Sequence, residues 1–228
     1  MPDVNNEYSF DDRINNFIRD KRRKILICLG VVVIVMAAFV TGIAIRNKLW
    51  EGAISRVEDF TRRYEELRFN IADEANAETV AALTAELSAF APKNSGYPGG
   101  RAYALIAGIH GDKKEWAAAE QAWRDAAKKA GKTYLAPVAL FNAASAAEEQ
   151  GKTAEAIALY AECLSMAELF PSSPRAQFAI GRLEEKQGNN ENALEAYRTL
   201  RTKWPNDSLW RNLAQSRIIS IESIGGEK

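Results

Sequence analysis

The pattern of apolar and polar positions changes character once, sharply, along the chain. From Ile25 to Ile45 runs ILICLGVVVIVMAAFVTGIAI, 21 residues without a charge. As a helix it is about 32 Å long, close to the hydrocarbon thickness of a bilayer, about 30 Å. A helix buried in a protein core is seldom apolar all the way round for such a length. Beyond it the apolar residues return only at helical spacing. Trp50, Ala53, Val57, Phe60, Tyr64 and Leu67 form one stripe; Val80, Leu83, Leu87 and Phe90 form a second after Asn70–Glu74. Pro92–Gly100 (PKNSGYPGG) is then expected to break the chain as a turn. No stretch alternates with period two, so everything after the apolar run is expected to be all-α.

An internal repeat follows. Ala119 with Trp123, Ala156 with Tyr160 and Ala193 with Tyr197 each place a small residue four before an aromatic, and successive pairs are 37 residues apart. Ala107, Ala144 and Gly181 stand twelve before these alanines. Gly151 and Gly188 stand five before two of them, where one helix must stop and its partner begin. A small residue lets two antiparallel helices approach, and the aromatic one turn later fills the space beside the contact. Such a hairpin cannot bury its faces alone, so neighbours are expected to stack as a solenoid. Trp210, Leu213, Ile218 and Ile221 mark a last amphipathic helix, a cap at about 207–223.

Gly181, Ala193, Tyr197 and Pro205 resemble the small residue, second-helix alanine, aromatic and terminal proline of a tetratricopeptide repeat. Residues 174–207 carry the best copy; 137–170 and 100–133 lack the terminal proline, and the period of 37 departs from the family's 34. Gln177 and Glu184 occupy two positions where the family has early aromatics. The order of segments, a charged stub at 1–24, one span at 25–45 and a tetratricopeptide-like domain at 46–228, resembles the bacterial single-pass ancillary subunit of the Sec translocon. No functional motif of that subunit transfers residue by residue; the likeness is one of layout.

Charge sets the expected topology. Arg13, Arg19, Lys21, Arg22, Arg23 and Lys24 precede the span, whereas Arg46, Lys48 and Arg56 after it are diluted by Glu51, Glu58 and Asp59. The positive-inside rule then keeps the N-terminus cytoplasmic, and the resemblance implies an inner membrane with a periplasmic domain. A cleaved signal peptide is the rival, with Gly42-Ile43-Ala44 as a small-x-small site. The length of the apolar run and the long, acid-containing leader argue for a retained anchor instead. Ile14, Phe17 and Ile18 suit an apolar helix face near the headgroups, but a disordered tail with a topogenic charge cluster is the expectation. The small-xxx-small pair Ala38 and Gly42 leaves a homo-oligomer open without supporting one.

Composition narrows the chemistry. The 228 residues hold 30 basic and 30 acidic side chains, one histidine and two cysteines. Removing the 6 basic and 5 acidic residues of the first 24 leaves 24 and 25. There is no basic surplus for a nucleic acid to meet. His110, in GIHGD, has no cysteine or carboxylate at ligand spacing, so no metal site is expected. Cys28 and Cys163 are not expected to bridge. Gly96, Gly99 and Gly100 lack the lysine and hydroxyl of a phosphate loop. The acid pairs Glu148-Glu149 and Glu184-Glu185 read as a repeated solvated surface. No nucleophile has a plausible base, so no enzyme, no catalytic residue and no cofactor are expected.

What remains is a surface for proteins or peptides. The resemblance implies a groove lined by the first helix of each repeat, at Arg101 and Asp112, then Val138, Phe141, Ser145 and Glu149, then Arg175, Phe178, Arg182 and Lys186. Phe141 and Phe178 either anchor a bound segment or pack between repeats, and the sequence leaves both open. The expected function is a non-enzymatic, membrane-anchored adaptor that meets translocon subunits, periplasmic chaperones or exported clients. The alternative is a structural scaffold for envelope growth or cell division.

Overall fold

The computed structural model describes residues 10–225, and within them the chain is helical, with no strand. Among the described residues nine α-helices follow one another: α1 (Phe10–Leu67), α2 (Ala77–Phe90), α3 (Tyr97–Asp112), α4 (Trp116–Ala130), α5 (Leu135–Glu149), α6 (Thr153–Leu164), α7 (Ser173–Lys186), α8 (Asn190–Lys203) and α9 (Ser208–Gly225). The chain divides into two units, one ending at Gly52 and the other beginning at Ala53.

In the first unit helix runs without interruption from Phe10, where a disordered stub up to residue 24 was expected. No proline falls between Phe10 and Leu67, so nothing in the sequence stops the i to i−4 ladder at the charge cluster. Residues 1–9 lie outside the described part. Of Ile14, Phe17 and Ile18, only the Phe17 side chain is described, and it is exposed. In the apolar run Leu26, Ile34 and Phe39 are 60%, 69% and 69% exposed.

In the second unit the last turns of α1 bury Val57, Phe60 and Tyr64 against Val80, Leu83 and Leu87 of α2 and Leu105 and Ile109 of α3. Phe60 meets Phe90 edge to face at 5.4 Å. Arg63 donates to both oxygens of Glu86, at 2.9 and 3.1 Å, and Arg56 donates to Glu86 at 3.0 Å. Trp50, expected in this stripe, is exposed in the first unit. The buried face begins at Val57, about two turns later.

Three helical hairpins follow, α3/α4, α5/α6 and α7/α8, and their turns are copies of one another. Lys114, Gly151 and Gly188 have φ of 60°, 75° and 80°. The next residues, Glu115, Lys152 and Asn189, have φ/ψ of −82°/64°, −80°/65° and −81°/64°. Each left-handed residue donates its N–H to the carbonyl three back at 2.9 Å. Glu115, Lys152 and Asn189 donate to the carbonyl five back, at 2.8, 3.0 and 2.9 Å. These bonds satisfy carbonyls that the ending helix leaves without partners.

The hairpin cores differ in how they close. A Cβ on Gly181 would lie 2.6 Å from the Tyr197 ring, so the glycine makes room for that aromatic. A Cβ on Gly100 would lie 3.0 Å from that of Ala130, so there backbone meets alanine. This corrects the expected turn over Pro92–Gly100. Only Asn94–Gly96 interrupt the helices; Pro98 sits in the first turn of α3, where its missing N–H costs nothing, and Gly99 and Gly100 are helical and buried. The C-terminal helix α9 buries Ala214, Ile218 and Ile221, while Leu213, expected on that face, is exposed and Trp210 is half-buried.

Candidate functional site

The first helices of the second and third hairpins lie side by side, and α9 follows in the same order. Phe141 of α5 faces Arg175 of α7, and about two turns further along Glu148 faces Arg182. Between them opens a cleft of about 390 Å³ lined by Phe141, Ser145, Glu148, Glu149, Tyr160, Arg175, Phe178, Ala179, Arg182 and Trp210. A neighbouring cavity of about 480 Å³ shares Phe178 and Arg182 and adds Glu185, Lys186, Tyr197 and Arg217.

Six of the ten residues named from the sequence thus surround the cleft: Phe141, Ser145, Glu149, Arg175, Phe178 and Arg182. Lys186 lines the neighbouring cavity. The other three go elsewhere. Val138 packs half-buried on the core of the second hairpin. Asp112 accepts a hydrogen bond from the Tyr64 hydroxyl at 2.7 Å, and that carboxylate, after burial, helps to push the phenol's pKa well up. Arg101 is half-buried on α3 and lines neither cavity.

The two phenylalanines play unequal parts. Phe141 is 8% exposed and packs against Tyr160 at 5.2 Å and Phe170 at 5.6 Å between centroids. It belongs to the core and shows the cleft only an edge. Phe178 is half-buried, with Tyr197 and Trp210 each 5.3 Å away. The guanidinium of Arg175 lies 5.0 Å from the centroid of the Phe141 ring, at cation–π distance.

The acid pairs are not a plain solvated surface. Glu149 is exposed, but the side chains of Glu148 and Glu185 are only 24% and 19% exposed, and each carries an arginine of the next first helix. Arg182 donates to Glu148 at 2.7 Å, a bond that raises the guanidinium's pKa further. Arg217 donates to Glu185, whose pKa is held below the usual carboxylate range by that bond, against the opposing pull of burial. Glu185 also accepts from the Tyr197 hydroxyl at 3.0 Å. Sequence pattern missed these pairings because each partner stands 32 or 34 residues away, just short of the repeat period. Trp210 was placed in the cap, and its part in the cleft follows only from α9 lying beside α7.

Elsewhere, His110 does meet a carboxylate: its Nδ1 lies 2.5 Å from Glu115 across the first hairpin turn. That pair bridges the turn, and no group of three metal-ligating side chains gathers among the described residues. Cys28 is exposed and Cys163 buried, and both are free thiols. The Cys163 thiol donates to the Pro137 carbonyl at 3.2 Å, and burial pushes its pKa up to about 12.

Comparison with known proteins agrees with this architecture. Two family models described as tetratricopeptide repeat match, one over residues 106–168 and one over 147–216. A "TPR repeat-containing protein" of Treponema pallidum (strain Nichols) is 40% identical over 141 residues, which is 62% of this chain and 58% of the relative. The aligned stretch therefore spans less than two thirds of that relative's length. Hairpins with a shared turn, a repeated small-residue contact and both family matches make residues 106–216 tetratricopeptide repeats.

Proposed function

We propose that this chain is a membrane-anchored, non-enzymatic adaptor that captures protein segments in the cleft between α5, α7 and α9. Tetratricopeptide repeats generally bind proteins and carry no catalytic groups of their own. The observation that carries the reading is the cleft itself: half-buried Phe178 and Trp210, a stacked Arg175 and the rim acid Glu149 meet at a single opening. Apolar anchors framed by charge are the usual make-up of a binding hot spot.

The anchor is the run from residue 25 to 45, retained in the membrane with the N-terminus cytoplasmic and 46–228 on the far side. Support comes from a helix long and apolar enough to cross a bilayer, with exposed apolar side chains such as Ile34 and Phe39, preceded by a basic cluster. The finer reading places the adaptor in the bacterial inner membrane, assisting export or folding of secreted proteins at the Sec translocon. It rests on the layout of the chain.

A photo-crosslinking residue at Glu149 of the full chain, irradiated in native membranes, tests both levels. Products at Glu149 but not at exposed Tyr134, a position outside the cleft, are expected. Phe178→Ala should lower their yield at least about thirtyfold in apparent affinity, as for a hot-spot aromatic. Translocon subunits or exported clients among the products support the export role, and wall-synthesis or division proteins support a scaffold instead. Equal products from Glu149 and Tyr134 would remove the cleft as the binding site.

A further inference from the structure

The charged groups around the cleft are unequal in what they have left to offer. Arg182, which its place on the groove helix would nominate to receive an acidic group, already holds Glu148 at 2.7 Å. Arg217 likewise holds Glu185. These two arginines tie α5 to α7 and α7 to α9, and their charge is matched within the fold. Arg175 is different. It is exposed, has no carboxylate within ion-pair distance among the described residues, and lies on the Phe141 ring. A stacked guanidinium loses little further freedom when its edge meets a carboxylate, and its planar fork suits two parallel hydrogen bonds.

The cleft is also polar along its length. Arg175 stands in the first turn of α7, beside Phe141. Glu148, Glu149 and Arg182 all lie toward the other end of α5 and α7. The Phe141 end therefore presents one cation with no carboxylate within ion-pair distance among the described residues, whereas at the opposite end Glu149 stands beside a pair already matched. Phe178 and Trp210, in mutual contact at 5.3 Å, supply the apolar wall.

From this division of labour we infer that the cleft selects acidic segments: an extended peptide whose carboxylate is read by Arg175 and whose neighbouring apolar side chain rests on Phe178 and Trp210. Arg182 is a positioning residue that holds α5 to α7 and reads nothing. The inference rests on the cleft being the binding site. A basic segment meets the Arg175 cation at the Phe141 end and is rejected there.

The test is selection of a random dodecapeptide display library on the full chain in detergent micelles, followed by fluorescence titration of the enriched peptides. Peptides enriched in Asp and Glu next to an aromatic or aliphatic residue are expected. Replacing their acids by Asn and Gln should weaken binding about tenfold or more, as should Arg175→Gln in the protein. Arg175→Lys keeps the charge without the planar fork and should fall between. It also keeps the test valid should Arg175→Gln unfold. An enriched pool that needs Phe178 and Trp210 but shows no acid preference, or one indifferent to Arg175→Gln, overturns the inference and leaves the cleft standing. A pool indifferent to Phe178→Ala and Trp210→Ala overturns both.

Discussion

The first and third hairpins share a backbone and differ in almost every device that closes them. Both turn through a left-handed residue followed by the same φ/ψ pair, within two degrees. Yet the left-handed residue is Lys114 in one and Gly188 in the other. The aromatic of the third hairpin, Tyr197, is fully buried against Gly181, whereas Trp123 of the first is half-buried. One position further separates them. Glu120 is buried in α4, where the repeat puts Ile157 in α6 and Leu194 in α8. A solenoid constrains the path of the chain from hairpin to hairpin and leaves each hairpin its own means of filling the space.

The largest expected effect tests that contrast in the cores. Tyr197→Ala removes a wholly buried ring and strands Glu185 with one partner fewer, and should cost about 3–5 kcal/mol. Trp123→Ala should cost clearly less, because part of that ring already faces water. Denaturant melts of the full chain in micelles measure both. Equal losses would mean that half-burial hides a packing role as large as that of Tyr197.

A middle-sized effect belongs to Glu120. Its carboxylate accepts from Arg124, from Gln150 at 2.8 Å and from Lys152 at 3.1 Å, joining α4 to the second hairpin turn. Burial opposes its ionisation, but the hydrogen bonds from Arg124, Lys152 and Gln150 together win and lower its pKa below the ordinary 4.5. Lowering means that the folded form holds the proton less tightly than the unfolded form does. The stabilisation is therefore complete above about pH 4.5 and is lost as pH falls below that value through the folded pKa. Glu120→Ala should cost about 1–3 kcal/mol near neutral pH and flatten the acid side of the stability profile. Glu120→Leu, which copies the third hairpin, should be close to neutral, since a packed apolar side chain often replaces a buried charge without loss. If Glu120→Leu is as damaging as Glu120→Ala, the charged cluster fixes the register between hairpins and the repeat position is no longer interchangeable.

The elements were legible because a helix writes its buried face at fixed spacing. Val57, Phe60 and Tyr64, the pairs Ala156–Tyr160 and Ala193–Tyr197, and the glycines at 151 and 188 all stand where their spacing puts them. Errors came where local composition argues against long-range packing. Gly99 and Gly100 look like a loop, yet a Cβ on Gly99 would lie 2.0 Å from the Asn94 carbonyl, so tight packing and not flexibility selects glycine. The candidate site was legible by half. Repeat register located Phe141, Arg175, Phe178 and Arg182, but nothing local shows that Arg182 is taken by Glu148 or that Trp210 of the following helix closes the wall.

The smallest effect concerns the shared turn. Lys114 adopts φ 60°, where a side chain costs about 1–2 kcal/mol that glycine does not. Glycine gives back part of this through the greater freedom of the unfolded chain, about 0.5–1 kcal/mol. Lys114→Gly should therefore stabilise the first hairpin by about 0.5–1 kcal/mol, and Gly188→Lys should cost the third about the same. In a unit of this size such a change moves the melting midpoint by about 1–4 °C, within reach of careful calorimetry. The exposed Lys114 side chain makes no hydrogen bond or ion pair among the described residues, so its removal carries no second loss. Opposite signs for the two substitutions would show that one turn geometry serves both hairpins and that lysine fills it at a disadvantage. A loss from Lys114→Gly would mean that the first turn draws on its side chain, and the likeness between the hairpins would end at the backbone.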